Sequence, residues 1–323
     1  MKILLLGAQG QLGWELGAAL SPLGQVFHLS RHQANLARLD ELEKVARQVK
    51  AEVIVNAAAY TRVDLAEDEA EQADLINAQA PALLARLARE TQAWLVHYST
   101  DYVFDGLKDG PYLESDAAAP LNVYGRSKLA GDEAIMASGC RHLIFRTSWV
   151  FSEKGENFAR TILKLARKEK RLTVVSDQVG SPTSVELLAG ATALALRESL
   201  TGSADLSGLY NLVSEGYTSW HGFAVYLLQK ARALGWQLTV GENEVIATAT
   251  EAGVRPARRP ANSRLSTEKF QKTFQLTPPH WSYYADRLLW TLTRDQARQP
   301  QSETPHHILG LKFIPPGNSL TRF

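Results

Sequence analysis

Tyr124 and Lys128 stand four residues apart in PLNVYGRSKLAGDE, so on a helix they share one face, one turn apart. A phenol with its ordinary pKa near 10 is a poor acid catalyst at neutral pH. An ammonium beside it favours the phenolate and draws that pKa toward the working range, which makes the pair an acid–base device. Upstream, the apolar run in VHYSTDYVFDG ends on Ser99, Thr100 and Asp101. A hydroxyl at Thr100, at the carboxyl end of a strand, would hold a carbonyl oxygen while a proton reaches it. Tyr-x-x-x-Lys by itself is common on exposed helices, so the weight falls on what positions it.

The opening KILLLGAQGQLG supplies that context. A continuous apolar run closed by glycine reads as a parallel strand covered on both faces. Gly7, Gly10 and Gly13 then lie between this strand and an amphipathic helix. That placement suits a dinucleotide pyrophosphate: a sharp turn, a close backbone approach and a helix N-terminus offering free N–H groups, with Gln11 and Leu12 in the same turn. An acidic residue after the second strand would grip the ribose 2′-hydroxyl of NADH. This chain has Ser30 and Arg31 instead, with no carboxylate until Asp40. Arg31 suits a 2′-phosphate, so NADPH is favoured, NADH is the alternative, and a solvated Arg31 is the bland reading. Asn35 and Leu36 are expected near the adenine. Ala59, Tyr60 and Thr61 leave the third strand facing the cofactor, and Tyr124 and Lys128 complete its site.

The flanking elements fit. Apolar runs at VFHL, EVIVN, AWLVHYST and RHLIFRTSWVF alternate with helical periodicity at DELEKVARQVK, ADLINAQAPALLARLARE (Pro81 a kink or new start) and 122–138. Strands alternating with helices indicate an α/β fold: a Rossmann-type doubly wound parallel sheet with a smaller C-terminal substrate-binding lobe. The expected division is 1–151 with interleaved later segments, 152–298 for the lobe, and 299–323 as a flexible tail. A chain of 323 residues with 45% hydrophobic and 21% charged residues can bury a sizeable core. A net charge of +1 gives no reason to expect nucleic acid or a membrane surface as partner. The N-terminal apolar run is too short for a signal core, and the single Cys140 suits a reducing cytoplasm.

Together these blocks, with VIVNAAAYTRVDLAE, FRTSWVFS, VVSDQVGSPTS and RPANSRLSTEKF, resemble the extended short-chain dehydrogenase/reductases over roughly Met1 to Leu292. Among them the chain is similar to the dTDP-4-dehydrorhamnose reductases. The resemblance implies a Thr100/Tyr124/Lys128 triad and substrate contacts at Thr100, Asp101, Tyr102 and Trp149. It implies NADPH-dependent reduction of the C4 ketone of a nucleotide-sugar. The alternatives are a reductase or epimerase of another nucleotide sugar, or a regulatory NADP-binding subunit. The resemblance also raises a Mg²⁺ bridging a homodimer, through Glu15 and Glu186. The third position is Thr291, which is not a carboxylate, so no metal ligand is assigned and the dimer stays open. Arg255, Arg258, Arg259 and Arg264 could grip a diphosphate or simply be solvated. His97 is expected to be a packed core histidine, Cys140 a core or edge residue, and His306 and His307 tail residues without a metal-site partner.

Overall fold

The structure, a computed structural model, describes residues 1–250 and 256–298. The expected readings of Arg255, His306, His307 and the 299–323 tail lie outside the described residues. The first half runs β1 (Lys2–Leu6), α1 (Gln11–Leu20), β2 (Gln25–Leu29), α2 (Leu39–Val49), β3 (Val53–Asn56), α3 (Ala70–Asp74) and α4 (Ala80–Thr91). It continues through β4 (Trp94–Thr100), α5 (Val123–Ser138) and β5 (Arg141–Thr147). The second half runs β6 (Val150–Phe151), α6 (Phe158–Ala166), β7 (Leu172–Val175), β8 (Val179–Gly180), β9 (Thr183–Ser184), α7 (Val185–Thr201) and β10 (Gly208–Asn211). It ends with β11 (Thr218–Ser219), α8 (Trp220–Ala233), β12 (Val245–Thr248), β13 (Asn262–Ser263), α9 (Glu268–Phe274) and α10 (Trp281–Arg298).

Six strands form one parallel sheet in the order β2-β1-β3-β4-β5-β10. Strand side chains alternate between faces, and the core divides accordingly. Ile3, Leu5, Val55, Val96 and Phe145 pack on one side with residues of α1, α7 and α9. Leu4, Leu6, Ile54, Leu95 and Ile144 pack on the other with residues of α2, α4 and α5. Strand β10 and helices α7 and α9 come late in the chain yet belong to this sheet and its covering layer. A third core gathers Phe151, α6, β7, α8 and α10. Trp281, Ala285, Leu288 and Leu289 are the packing face of α10, while Tyr283 and Trp290 are exposed. Among the described residues no helix is long and apolar enough to cross a membrane.

The expected helix through Pro81 is interrupted earlier than the proline requires. Leu75–Gln79 form a π-helical turn between α3 and α4, and Pro81 sits in the first turn of α4. The wide turn presents Asn77, which is 1% exposed, to the sheet side. Its amide accepts from Tyr60 N at 2.9 Å and donates to Tyr60 O and to Ser127 Oγ, each at 3.0 Å. The same turn presses against Gly131 of α5, where an added Cβ would lie 2.1 Å from the Asn77 carbonyl oxygen. Gly131→Ala should gain about 1 kcal/mol of helix propensity. It should lose more by forcing a backbone apart, for a net destabilisation of about 1–3 kcal/mol. Urea unfolding that showed Gly131→Ala equal to or more stable than the parent would refute this contact as a constraint.

Candidate active site

The chain steps from β2 back across β1 to β3, so the sheet's switch point lies between β1 and β3. In open α/β sheets ligands bind at the carboxyl ends of the strands beside such a point. The glycine loop is there. Gly7 has φ +75°, and a Cβ on Gly13 would lie 2.1 Å from Gly7 O. The N-terminus of α1 has Gly10 as its cap and no side chain bonded to it. Its first N–H groups are therefore open to an anion, in a cradle that side chains would fill. This fits a pyrophosphate.

The two other cofactor segments are more mixed. Ser30 Oγ and Ser30 N both bond Gln33 Oε1, at 2.9 and 3.0 Å, which fixes the turn that exposes Arg31. Asn35 Oδ1 is taken by Ala37 N, and the Leu36 side chain is buried in the core. Gln11 turns away from the glycine loop: its amide bonds Glu156 O, Ser152 Oγ and Asn157 Nδ2. Leu12 packs on the core. Ala59 and Thr61 are exposed, whereas Tyr60 has its backbone held by Asn77 and its hydroxyl on Glu69 Oε2 at 2.8 Å.

Tyr124 and Lys128 share α5, whose N-cap Asn122 accepts from Gly125 N at 2.7 Å. The Thr100 hydroxyl lies beside the Tyr124 phenol, and the Tyr102 ring meets Tyr124 edge-on at 5.7 Å. Thr100 Oγ1 donates to Asp101 Oδ1 at 3.0 Å and accepts from Tyr102 N at 3.1 Å. Contrary to the lowering expected from Lys128, burial pushes the Tyr124 phenol above its ordinary range, so it stays protonated at neutral pH. Burial also raises the Asp101 carboxyl to about 6, against the hydroxyls of Ser263 and Thr100, and Asp101 Oδ2 has no hydrogen-bond partner.

Lys128, 2% exposed, is drawn down to about 8 by burial, with Asp132 pulling the other way. Its Nζ donates to Tyr98 O at 2.5 Å and lies 3.1 Å from His97 Nε2. One turn on, Asp132 Oδ2 accepts from Ser99 Oγ at 2.8 Å and pairs with Arg146 Nε at 3.1 Å. His97 is the packed histidine the sequence suggested, but it touches Lys128, which the sequence reading missed. The signal was in β4: counting by twos from Leu95 puts His97 and Ser99 on the face that α5 covers.

Trp149 lies beyond β5 with φ +48°, an unusual conformation for a large side chain. Its ring stacks on Trp220 at 3.5 Å, and Gly180 backs it, since a Cβ there would come within 2.7 Å of Trp149 Cε2. Trp220 was not singled out in the sequence. The arginine cluster divides. Arg259 pairs with Asp64 through both nitrogens, at 2.8 and 3.0 Å, and also donates to Ala257 O at 3.1 Å. Arg264 is held by Asn262 Oδ1, and Arg258 is exposed. Cys140 is buried and free.

The residues raised for Mg²⁺ do not make a site within one chain. Glu186 is paired with Arg287 at 2.9 Å, and Glu15 is raised by burial and by the charge of Glu186. Thr291 brings a hydroxyl, and among the described residues no group of three His, Cys, Asp or Glu could hold a metal.

The model of the RmlD substrate binding domain family matches residues 1–294. The dTDP-4-dehydrorhamnose reductase of Escherichia coli K12 is 48% identical over 293 residues, 90% of this chain and 97% of that protein. A crystal structure of a dTDP-4-dehydrorhamnose reductase from Clostridium acetobutylicum aligns with TM-score 0.82 and 32% identity, over 90% of this chain and 99% of that one. The Bacillus anthracis dTDP-4-dehydrorhamnose reductase, solved in complex with NADP, aligns with TM-score 0.80 and 30% identity over the same shares. If the glycine cradle receives the cofactor, Gly13→Ala should weaken NADPH binding at least about tenfold through its clash with Gly7 O. Quenching of tryptophan fluorescence by NADPH measures this, and an unchanged affinity would refute the placement.

Proposed function

The chain belongs to the family of the RmlD substrate binding domain, and from that premise we propose how its residues carry out the reduction. It is an NADPH-dependent oxidoreductase that reduces the C4 ketone of dTDP-4-dehydro-L-rhamnose to dTDP-L-rhamnose. The observation that carries the residue assignment is the joint burial of a protonated phenol, a hydroxyl and an amine at the carboxyl end of β4. Bound NADPH supplies the hydride to C4.

The chain supplies the rest. Thr100 and Tyr124 hold the carbonyl oxygen, and as charge develops there Tyr124 transfers its proton to it. A phenol kept protonated by burial suits this direction of reaction. Lys128 offsets the phenolate left behind and holds the cofactor ribose. Asp101 Oδ2 is a buried acceptor for a sugar hydroxyl, Tyr102 borders the same space, and Trp149 offers an aromatic face on its Trp220 backing. Arg31 meets the 2′-phosphate. The backbone N–H groups from Gln11 to Gly13 take the pyrophosphate, and 57–61 with Asn35 and Leu36 border the remainder through their main chain. A cytoplasmic setting suits the unpaired Cys140. Among the described residues of the cluster, the exposed Arg258 is better placed than Arg259 to meet the substrate diphosphate, because Arg259 is committed to Asp64 and Arg264 is held by Asn262.

Tyr124→Phe removes the proton but little volume. It should lower kcat by at least about a hundredfold, the lower range for positioned acid catalysis, with NADPH affinity nearly unchanged. Loss of NADPH absorbance with dTDP-4-dehydro-L-rhamnose measures it, and retained turnover would sink the acid role. Arg31→Asp should swing the ratio of kcat/KM for NADPH over NADH toward NADH by about tenfold or more. A ratio that did not move would place the 2′-phosphate elsewhere.

A further inference from the structure

The interior behind Lys128 contains a hydrogen-bonded chain that the catalytic reading does not use. Asn56, at the end of β3, accepts from Ala58 N at 3.2 Å through Oδ1, which leaves its Nδ2 facing His97 Nδ1 at 3.2 Å. His97 Nε2 in turn faces Lys128 Nζ at 3.1 Å. Asn56 and His97 are each 1% exposed, so no bulk water relieves a mismatch among them.

Donor and acceptor counting then couples the three residues. With the Asn56 NH₂ directed at Nδ1, that ring nitrogen must be bare and the ring hydrogen sits on Nε2, pointing at Lys128. An ammonium cannot accept it, so this arrangement goes with the neutral amine. The ammonium needs a bare Nε2, hence a hydrogen on Nδ1 and the Asn56 carbonyl turned toward it, which gives up the bond from Ala58 N. We propose that His97, seated by Asn56, is a positioning residue of the reduction, whose tautomer governs whether Lys128 holds its proton. Asp132 on α5 is the other charged group acting on Lys128, with Arg146 on β5 reached through Asp132, and Tyr124 stands one turn earlier on α5. Burial and the Lys128 charge hold His97 itself well below its ordinary pKa, so it stays neutral throughout. The coupling rests on Tyr124 and Lys128 as the reacting pair only in its kinetic consequence.

The test has two arms. In the full-length protein carrying ¹⁵N-histidine, with His97 assigned by its loss in His97→Gln, a pH titration should show a neutral ring throughout. Its hydrogen should move from Nδ1 to Nε2 as Lys128 loses its proton. A single tautomer across the range, or an imidazolium, would overturn the proposal. In the second arm, kcat for the sugar-nucleotide ketone is followed against pH. The bond from the ammonium to His97 is charge-assisted and stronger than the bond to the amine. His97→Leu therefore costs the ammonium more, and the alkaline limb should move to lower pH by about one unit, tenfold in the proton affinity of Lys128. His97→Gln, whose amide can turn to accept or donate, should restore the limb close to the parent position. A limb unmoved in both variants would make His97 a packing residue and overturn the proposal. Where His97→Leu does not fold, His97→Gln and the titration still decide. A parent without reductase activity would refute the enzymatic reading, and the ¹⁵N titration would still judge the coupling.

Discussion

The burial of one lysine ammonium at the sheet edge is the constraint on which the rest of the site depends. Moving Lys128 from its ordinary value of 10.5 to about 8 corresponds to roughly 3 kcal/mol of bias against its charged form. The fold keeps the amine close to its charged form with few polar contacts: the Tyr98 carbonyl, the His97 ring and the more distant field of Asp132. Asp132 is itself fully buried, with Ser99 and Arg146 both on its Oδ2 and no hydrogen-bond partner on Oδ1. The Arg146 guanidinium offsets part of the negative field that Asp132 would otherwise direct at Lys128.

Helix α5 lies close to its neighbours. Gly131 admits the π-helical turn, and through Asn77 that turn joins Ser127 of α5 to the backbone of Tyr60. The loop after β3 and the helix bearing Tyr124 are therefore parts of one hydrogen-bonded unit. On the far side, Asn122 Nδ2 reaches Arg258 O at 2.7 Å while its Oδ1 caps α5. One asparagine thus starts the helix and attaches it to the arginine-rich segment.

Much of this was legible in the residues, for stated reasons. Alternating apolar runs announced the parallel sheet, and the glycine spacing announced the cradle, because both depend on local sterics. Tyr124, Lys128 and Thr100 were legible because an i, i+4 pair and a strand end fix their positions without knowledge of the rest. What was not legible depends on contacts between distant segments. Arg259 read as either a diphosphate grip or a solvated residue, and neither reading foresaw Asp64, from the loop after β3, against it. The Leu36 side chain is absorbed into the core, so only its main chain is left for the adenine neighbourhood the sequence suggested. Trp220 gave no local sign of lying under Trp149, since the stack joins the end of β5 to the start of α8. Pro81 stands in the first turn of a new helix, as one of its two readings had it, while the π-helical turn before it, which presents Asn77 to Tyr60 and Ser127, gave no local sign.

Gln11 is the first residue of α1, and its amide grips Ser152, Glu156 and Asn157 at the entry to α6. The same residue contributes a backbone N–H to the cradle at the mouth of that helix. A swing of the 152–157 segment away from the sheet would therefore pull on the first turn of α1. The glycine loop and the entry to α6 are stitched together by one amide, so a strain at either is felt at the other.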